Sequence, residues 1–129
     1  MRETKEIQRK IPKNCHYWRD PKQIKSGLLQ DRFELLKTYV KDEHFWQYLL
    51  KCRKCGQQYV MEFRESIDWV NGNDPQFTLY VPVSDEIDAD YVLSAGLQSV
   101  SPRLHDDFPS DAEDHLIYWV AEVRATLNV

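Results

Sequence analysis

The sequence predicts an α+β fold in which a small antiparallel meander of about three strands is covered by three to four helices. Three observations lead there. Tyr59, Met61 and Phe63 alternate with Val60, Glu62 and Arg64, and Phe77, Leu79, Val81 and Val83 with Thr78, Tyr80 and Pro82, with strong turn chemistry between the two runs. Two other stretches carry apolar residues at helical spacing. Capping residues stand in front of several helical candidates.

Taken in order, residues 1–13 are polar and basic and end at Pro12, so they are expected to be a frayed or edge segment of a single domain spanning 1–129. Asp20-Pro21-Lys22-Gln23 opens a short helix, with Asp20 as cap and Pro21 at the first helical position, and Gly27 stops it. Leu29, Phe33, Leu36 and Val40 then predict an amphipathic helix over 28–41. Phe45–Leu50 is a strand, followed by the alternating segments around Tyr59–Arg64 and Phe77–Val83. Asn71-Gly72-Asn73-Asp74-Pro75 supplies the turn between the last two, since Asn and Gly tolerate positive φ. After Ser84, the acids Asp85, Glu86 and Asp88 suit a helix N-terminus, Ile87 and Tyr91 share one face, and Gly96 ends the helix. Residues 97–109 read as a polar loop. Ser110-Asp111-Ala112-Glu113 reads as a capping box ahead of a last helix bearing Leu116, Trp119, Val120, Val123 and Leu127.

Composition bounds the function. Hydrophobic residues make up 42 % and aromatics 12 % of 129 residues, enough for a folded core. No apolar run approaches the roughly 20 residues that span a bilayer, so no membrane partner is expected. The charged N-terminal residues carry no secretory pattern, and a cytoplasmic address is expected. Residues 1–61 hold 14 Lys/Arg against 7 Asp/Glu, whereas residues 62–129 hold 3 against 14. Either the halves neutralise each other on folding, or the acidic half steers a basic partner towards itself. On the second reading Asp85, Glu86, Asp88, Asp90, Asp106, Asp107, Asp111, Glu113 and Asp114 form the partner-binding surface, although Asp111 and Glu113 also serve a cap. Nucleic acid is disfavoured as the ligand of so acidic a half.

Catalytic constellations are missing from the sequence. There is no P-loop, G-x-G-x-x-G or G-x-S-x-G, and no enzyme activity is expected. The four histidines stand apart in sequence, and His105-Asp106-Asp107 reads as a solvated acidic tip. Cys52-Arg53-Lys54-Cys55-Gly56 between two strands has the shape of a zinc knuckle, whose turn aims two thiolates at one point. A structural zinc wants four ligands and no second pair follows, so no cofactor is expected; zinc on Cys52 and Cys55 is the alternative, with Cys15, His16 or His44 as distant helpers. Of the four tryptophans most are expected in the core; Trp69 is the best candidate for an interface anchor, with a core position the first expectation for it too.

The stretch Leu49-Leu50-Lys51-Cys52-Arg53-Lys54-Cys55-Gly56-Gln57-Gln58-Tyr59, continuing through Glu62–Trp69, Asn73–Gln76 and Tyr80–Val83, is similar to small bacterial immunity proteins. Those proteins accompany toxins of contact-dependent growth inhibition and related polymorphic systems. The resemblance covers roughly residues 44–84. It implies one-to-one neutralisation of a cognate, basic toxin domain, often a nuclease, and carries no site list of its own. A half-formed knuckle departs from most such proteins, which need no metal. That departure keeps a second reading open: a zinc-knuckle module for nucleic acid or a transcription complex, contacted through Arg53 and Lys54.

Overall fold

The chain from Phe33 to Val83 is rich in aromatic and β-branched residues, and it forms a run of hairpins rather than a helix followed by three strands. The computed structural model describes residues 7–25, 27–67, 69–70, 72, 74–109 and 114–121. Strands β2 (Phe33–Lys41), β3 (Phe45–Cys52), β4 (Gln58–Glu65), β5 (Gln76–Val83), β7 (Arg103–Phe108) and β8 (Leu116–Val120) form one antiparallel sheet in the order β2-β3-β4-β5-β7-β8. β1 (Ile7–Gln8) and β6 (Val100–Ser101) pair separately and in parallel. The helices are short: α1 (His16–Arg19), a 3-10 turn (Pro21–Lys25), α2 (Leu29–Arg32), α3 (Glu86–Ala95) and a second 3-10 turn (Leu97–Ser99). The fold is therefore β-rich, a six-stranded sheet in place of the α+β meander with three to four covering helices.

Three elements account for the difference. The helix expected over 28–41 is a single α2 turn that runs into β2. Two register shifts, between Leu35 and Lys37 and between Thr38 and Val40, leave Leu36 and Tyr39 unmatched against β3. Each extra residue breaks the two-residue period, and the apolar spacing that results imitates a helix. The expected loop 97–109 contains β7, whose acidic residues pair with β5 through Leu79↔His105 and Thr78↔Asp106. The expected last helix is β8 over Leu116–Val120, a continuous apolar run that periodicity alone cannot assign. Its expected capping box at 110–113, and Val123 and Leu127, lie outside the described residues.

The segments 45–52, 58–65 and 76–83 are strands as the alternation predicts. So is the helix after Ser84: the Asp85 carboxylate accepts from the Asp88 amide 2.8 Å away, and Gly96 at φ 93° ends it. Its buried face is Ala89 and Val92, however, while Ile87 and Tyr91 are exposed. Asp20 and Gln23 bond across the first 3-10 turn as expected of a cap.

Both faces of the sheet are covered. On one, Phe33, Leu50, Tyr59, Met61, Tyr80 and Leu104 pack against Cys15, Tyr17 and Ile24 from α1 and its neighbours. On the other, Leu49, Val60, Leu79, Val81 and Val83 pack against Ala89, Val92, Leu97 and Val100. The pleat makes this division: alternate residues of each strand point to opposite faces. Trp18 meets Trp119 edge to face at 4.9 Å, and Trp46 stacks on Phe63 at 4.2 Å. Trp69 is the exception among the tryptophans, 88 % exposed in the β4–β5 connection. Among the described residues no helix is long and apolar enough to cross a membrane.

Candidate metal centre

The β3–β4 hairpin turns through Cys52-Arg53-Lys54-Cys55-Gly56. The Gly56 amide donates to the Cys52 carbonyl at 2.8 Å, and Gly56 takes φ 83°, a left-handed conformation that a side chain would strain. This tight turn brings the Cys52 and Cys55 sulfurs round to one point. Arg53 anchors the turn to α2, its amide donating to the Arg32 carbonyl at 3.0 Å and its Nε to the Gln30 carbonyl at 2.9 Å.

Cys15 arrives from far upstream. It precedes α1, held by its amide donating to the Pro12 carbonyl at 2.9 Å and by Trp18 donating to its own carbonyl at 3.0 Å. Packing of Tyr17 onto Phe33, with ring centroids 5.5 Å apart, presses this segment onto the sheet. The three sulfurs of Cys15, Cys52 and Cys55 lie within 4.8 Å of one another and could hold a metal ion. Cys15 and Cys52 are buried and Cys55 is exposed; none is in a disulfide. Sequence spacing finds the pair, but the third thiol is selected by tertiary packing.

The surroundings fit a thiolate-bound cation. Burial pushes the Cys15 thiol up to about 12, with the neighbouring Tyr59 hydroxyl and Tyr17 amide opposing the rise and the other two thiols adding to it. A buried thiol of this kind ionises only when a positive charge takes the place of its proton. The Tyr59 hydroxyl is buried and near enough to Cys15 for each to perturb the other, yet it lacks the geometry of a hydrogen bond. An unmade bond at a buried donor is unfavourable, and a thiolate at Cys15 would be its acceptor.

The histidines divide clearly. His44 bonds Glu65 at 3.0 Å just before the end of β3 remote from the cysteines, eight residues or about 26 Å of extended chain from Cys52. His105 accepts from Arg103 at 3.0 Å and stacks on Tyr118 at 4.6 Å; His115 bonds Asp106 at 2.6 Å and stacks on Phe108 at 4.7 Å. These three serve the sheet and its edge. His16, adjacent to Cys15, has a buried Nδ1 with no hydrogen-bond partner. Burial lowers its pKa, and Lys54 of the knuckle and Arg19 lower it further.

Most of the described acids of the latter half are engaged within the chain. Asp85 caps its own helix, Asp88 pairs with Arg9, Glu86 with Lys37 at 2.6 Å, and Asp114 with Lys25 at 2.7 Å. Asp106 is held by His115, and Asp107 accepts from the Tyr118 hydroxyl at 3.1 Å. Asp106 shares a face with Leu104, while Asp107 shares the opposite one with His105. Asp90 is exposed on α3, and Asp111 and Glu113 lie outside the described residues. The excess charges of the two halves meet in Arg9–Asp88, Lys25–Asp114 and Lys37–Glu86, the mutual neutralisation that the charge count left open.

Comparison with protein-family models, with curated proteins and with solved structures found no match for the chain.

Proposed function

We propose that the chain is a zinc-stabilised protein-binding module and not an enzyme. The observation that carries this reading is the convergence of three thiols from two remote segments within 4.8 Å. Zinc suits them best, being a borderline-soft cation that takes thiolates in tetrahedral geometry without redox chemistry. Its work is structural: it ties the segment before α1 to the β3–β4 turn. A metal that binds only the folded chain stabilises it by about 4 kcal/mol at a thousandfold excess over its dissociation constant.

The protein partner is supported by the β4–β5 connection, where Trp69 and Val70 are each 88 % exposed. Tryptophan is enriched among the anchors of protein interfaces. Neutralisation of a toxin domain is the particular form of partner binding that the sequence resemblance favours. The nucleic-acid alternative draws on Lys51, Arg53 and Lys54, exposed around the knuckle.

Metal analysis of the purified full chain, before and after chelation, tests the reading. One zinc per chain and a lower melting temperature after chelation are expected. Metal-free protein that takes up no zinc would remove the centre. Tight, salt-dependent binding of an oligonucleotide would replace the protein partner by nucleic acid.

A further inference from the structure

We infer that the three-cysteine centre keeps its fourth coordination position open, for a thiolate or imidazole supplied from outside the chain. The inference rests on the metal reading above and goes beyond it, because a purely structural zinc closes its own shell.

Three observations carry it. All three cysteines and all four histidines of the chain are described, so every thiol and imidazole it owns is accounted for. No histidine, and among the described residues no carboxylate, joins the three sulfurs in one cluster. Tetrahedral zinc–thiolate bonds of about 2.3 Å place sulfurs about 3.8 Å apart, so the cluster needs only a small contraction to seat the ion. The described residues therefore provide three thiol ligands and no fourth.

The second observation is access. An open cleft of about 310 Å³ reaches Cys15 and Cys55, with Asn14, Gln57, Gln58 and Ser84 on its walls. Those walls offer neutral amides and a hydroxyl but no carboxylate or imidazole. A metal-bound water there would meet no general base, which makes the open position suited to binding a ligand and not to hydrolysis. The third is charge. Zn²⁺ with three thiolates carries a net −1, and a fourth thiolate makes it −2. Lys51, beside Cys52 in β3, and Lys54, beside Cys55 in the turn, are both exposed and offset that charge. Donor class follows from the metal's own three sulfurs: soft or borderline donors displace water, and hard carboxylates do so poorly.

Cobalt(II) is the probe, since its visible bands report the coordination shell directly. The full chain is loaded with one equivalent, then titrated with 2-mercaptoethanol, with imidazole, and with a short peptide bearing a single cysteine; His16→Gln is run beside it. We expect tetrahedral bands in both proteins with the same spectrum, and a saturable shift on adding thiol or imidazole. A shift with the small donors but none with the peptide makes the ligand a low-mass thiol or imidazole compound. Tighter saturation by the peptide makes it a partner's side chain, and bands that change with protein concentration as mass doubles make it a second copy of this chain. Bands that ignore every added donor overturn the open position, and a changed spectrum in His16→Gln identifies the internal ligand that fills it. Failure of the underlying centre looks different: no cobalt uptake by the unmodified chain, or uptake that Cys55→Ser does not reduce.

Discussion

Replacing Tyr59 by phenylalanine separates the roles of fold and metal, because the two states of the protein should respond in opposite directions. The ring is buried against Phe33, with centroids 6.0 Å apart, and that packing survives the change. Only the hydroxyl is lost. In the metal-free protein that hydroxyl is buried without a hydrogen bond, a state that costs about 1–3 kcal/mol. Tyr59→Phe should therefore stabilise the metal-free chain by about 1 kcal/mol or more, read as a rise in urea midpoint in chelator at unchanged slope. With zinc on the three cysteines, the same hydroxyl would have the Cys15 thiolate as its acceptor, a supporting bond outside the coordination shell. Losing such a bond weakens metal binding by about 10–100-fold, read by competition with a chromogenic chelator. A variant that is less stable without metal, or that binds zinc as well as the original chain, would refute the assignment of Tyr59 to the centre.

Other outcomes follow from the same packing. Leu104 is 0 % exposed near the start of β7, so Leu104→Ala should cost about 2–5 kcal/mol; a loss below about 1 kcal/mol in urea unfolding would contradict its placement. Trp69→Ala should leave stability within about 0.5 kcal/mol, since the side chain packs against little, while any partner binding falls; a large stability loss would mean that the residue is covered. Burial raises the Tyr80 hydroxyl above the ordinary tyrosine value of 10.0, and Tyr17 is pushed to about 12 in the same way. Groups raised on folding contribute stability that is whole below pH 10.0 and is lost as pH climbs towards their folded values. The urea midpoint of metal-free protein should thus hold to about pH 8, above which the raised Cys15 thiol and then the tyrosines count, and drop by about pH 11; a flat profile would contradict their burial.

How much of this was legible in the sequence depended on whether local pattern and tertiary context agreed. β4 and β5 are rich in aromatic and β-branched residues and are separated by Asn-Gly turn chemistry, so they could be read directly. β2 carries two bulges, and at Leu36 and Tyr39 the period that identifies a strand slips. β8 is five apolar residues in succession, which a helix and a buried strand share, and the stripe through Trp119 tipped the reading the wrong way. β7 hid because aspartate is depleted in strands; His115 and Tyr118 on its neighbour receive those carboxylates.

The candidate site divides along the same line. Two cysteines in one turn announce themselves, whereas Cys15 joins them only because Tyr17 and Ile24 dock on the sheet. Counting acids gave the sign of the latter half but not its faces. The pleat sends Asp106 and Asp107 apart, and lysines and arginines of the first half take up Glu86, Asp88 and Asp114.

X-ray absorption at the zinc edge of the purified full chain tests the central claim most directly. The account predicts one zinc whose nearest shell contains three sulfurs at about 2.3 Å, reduced in number by Cys15→Ser as well as by Cys52→Ser. A shell of oxygen and nitrogen alone, or one that keeps its sulfurs when Cys15 is replaced, would contradict it.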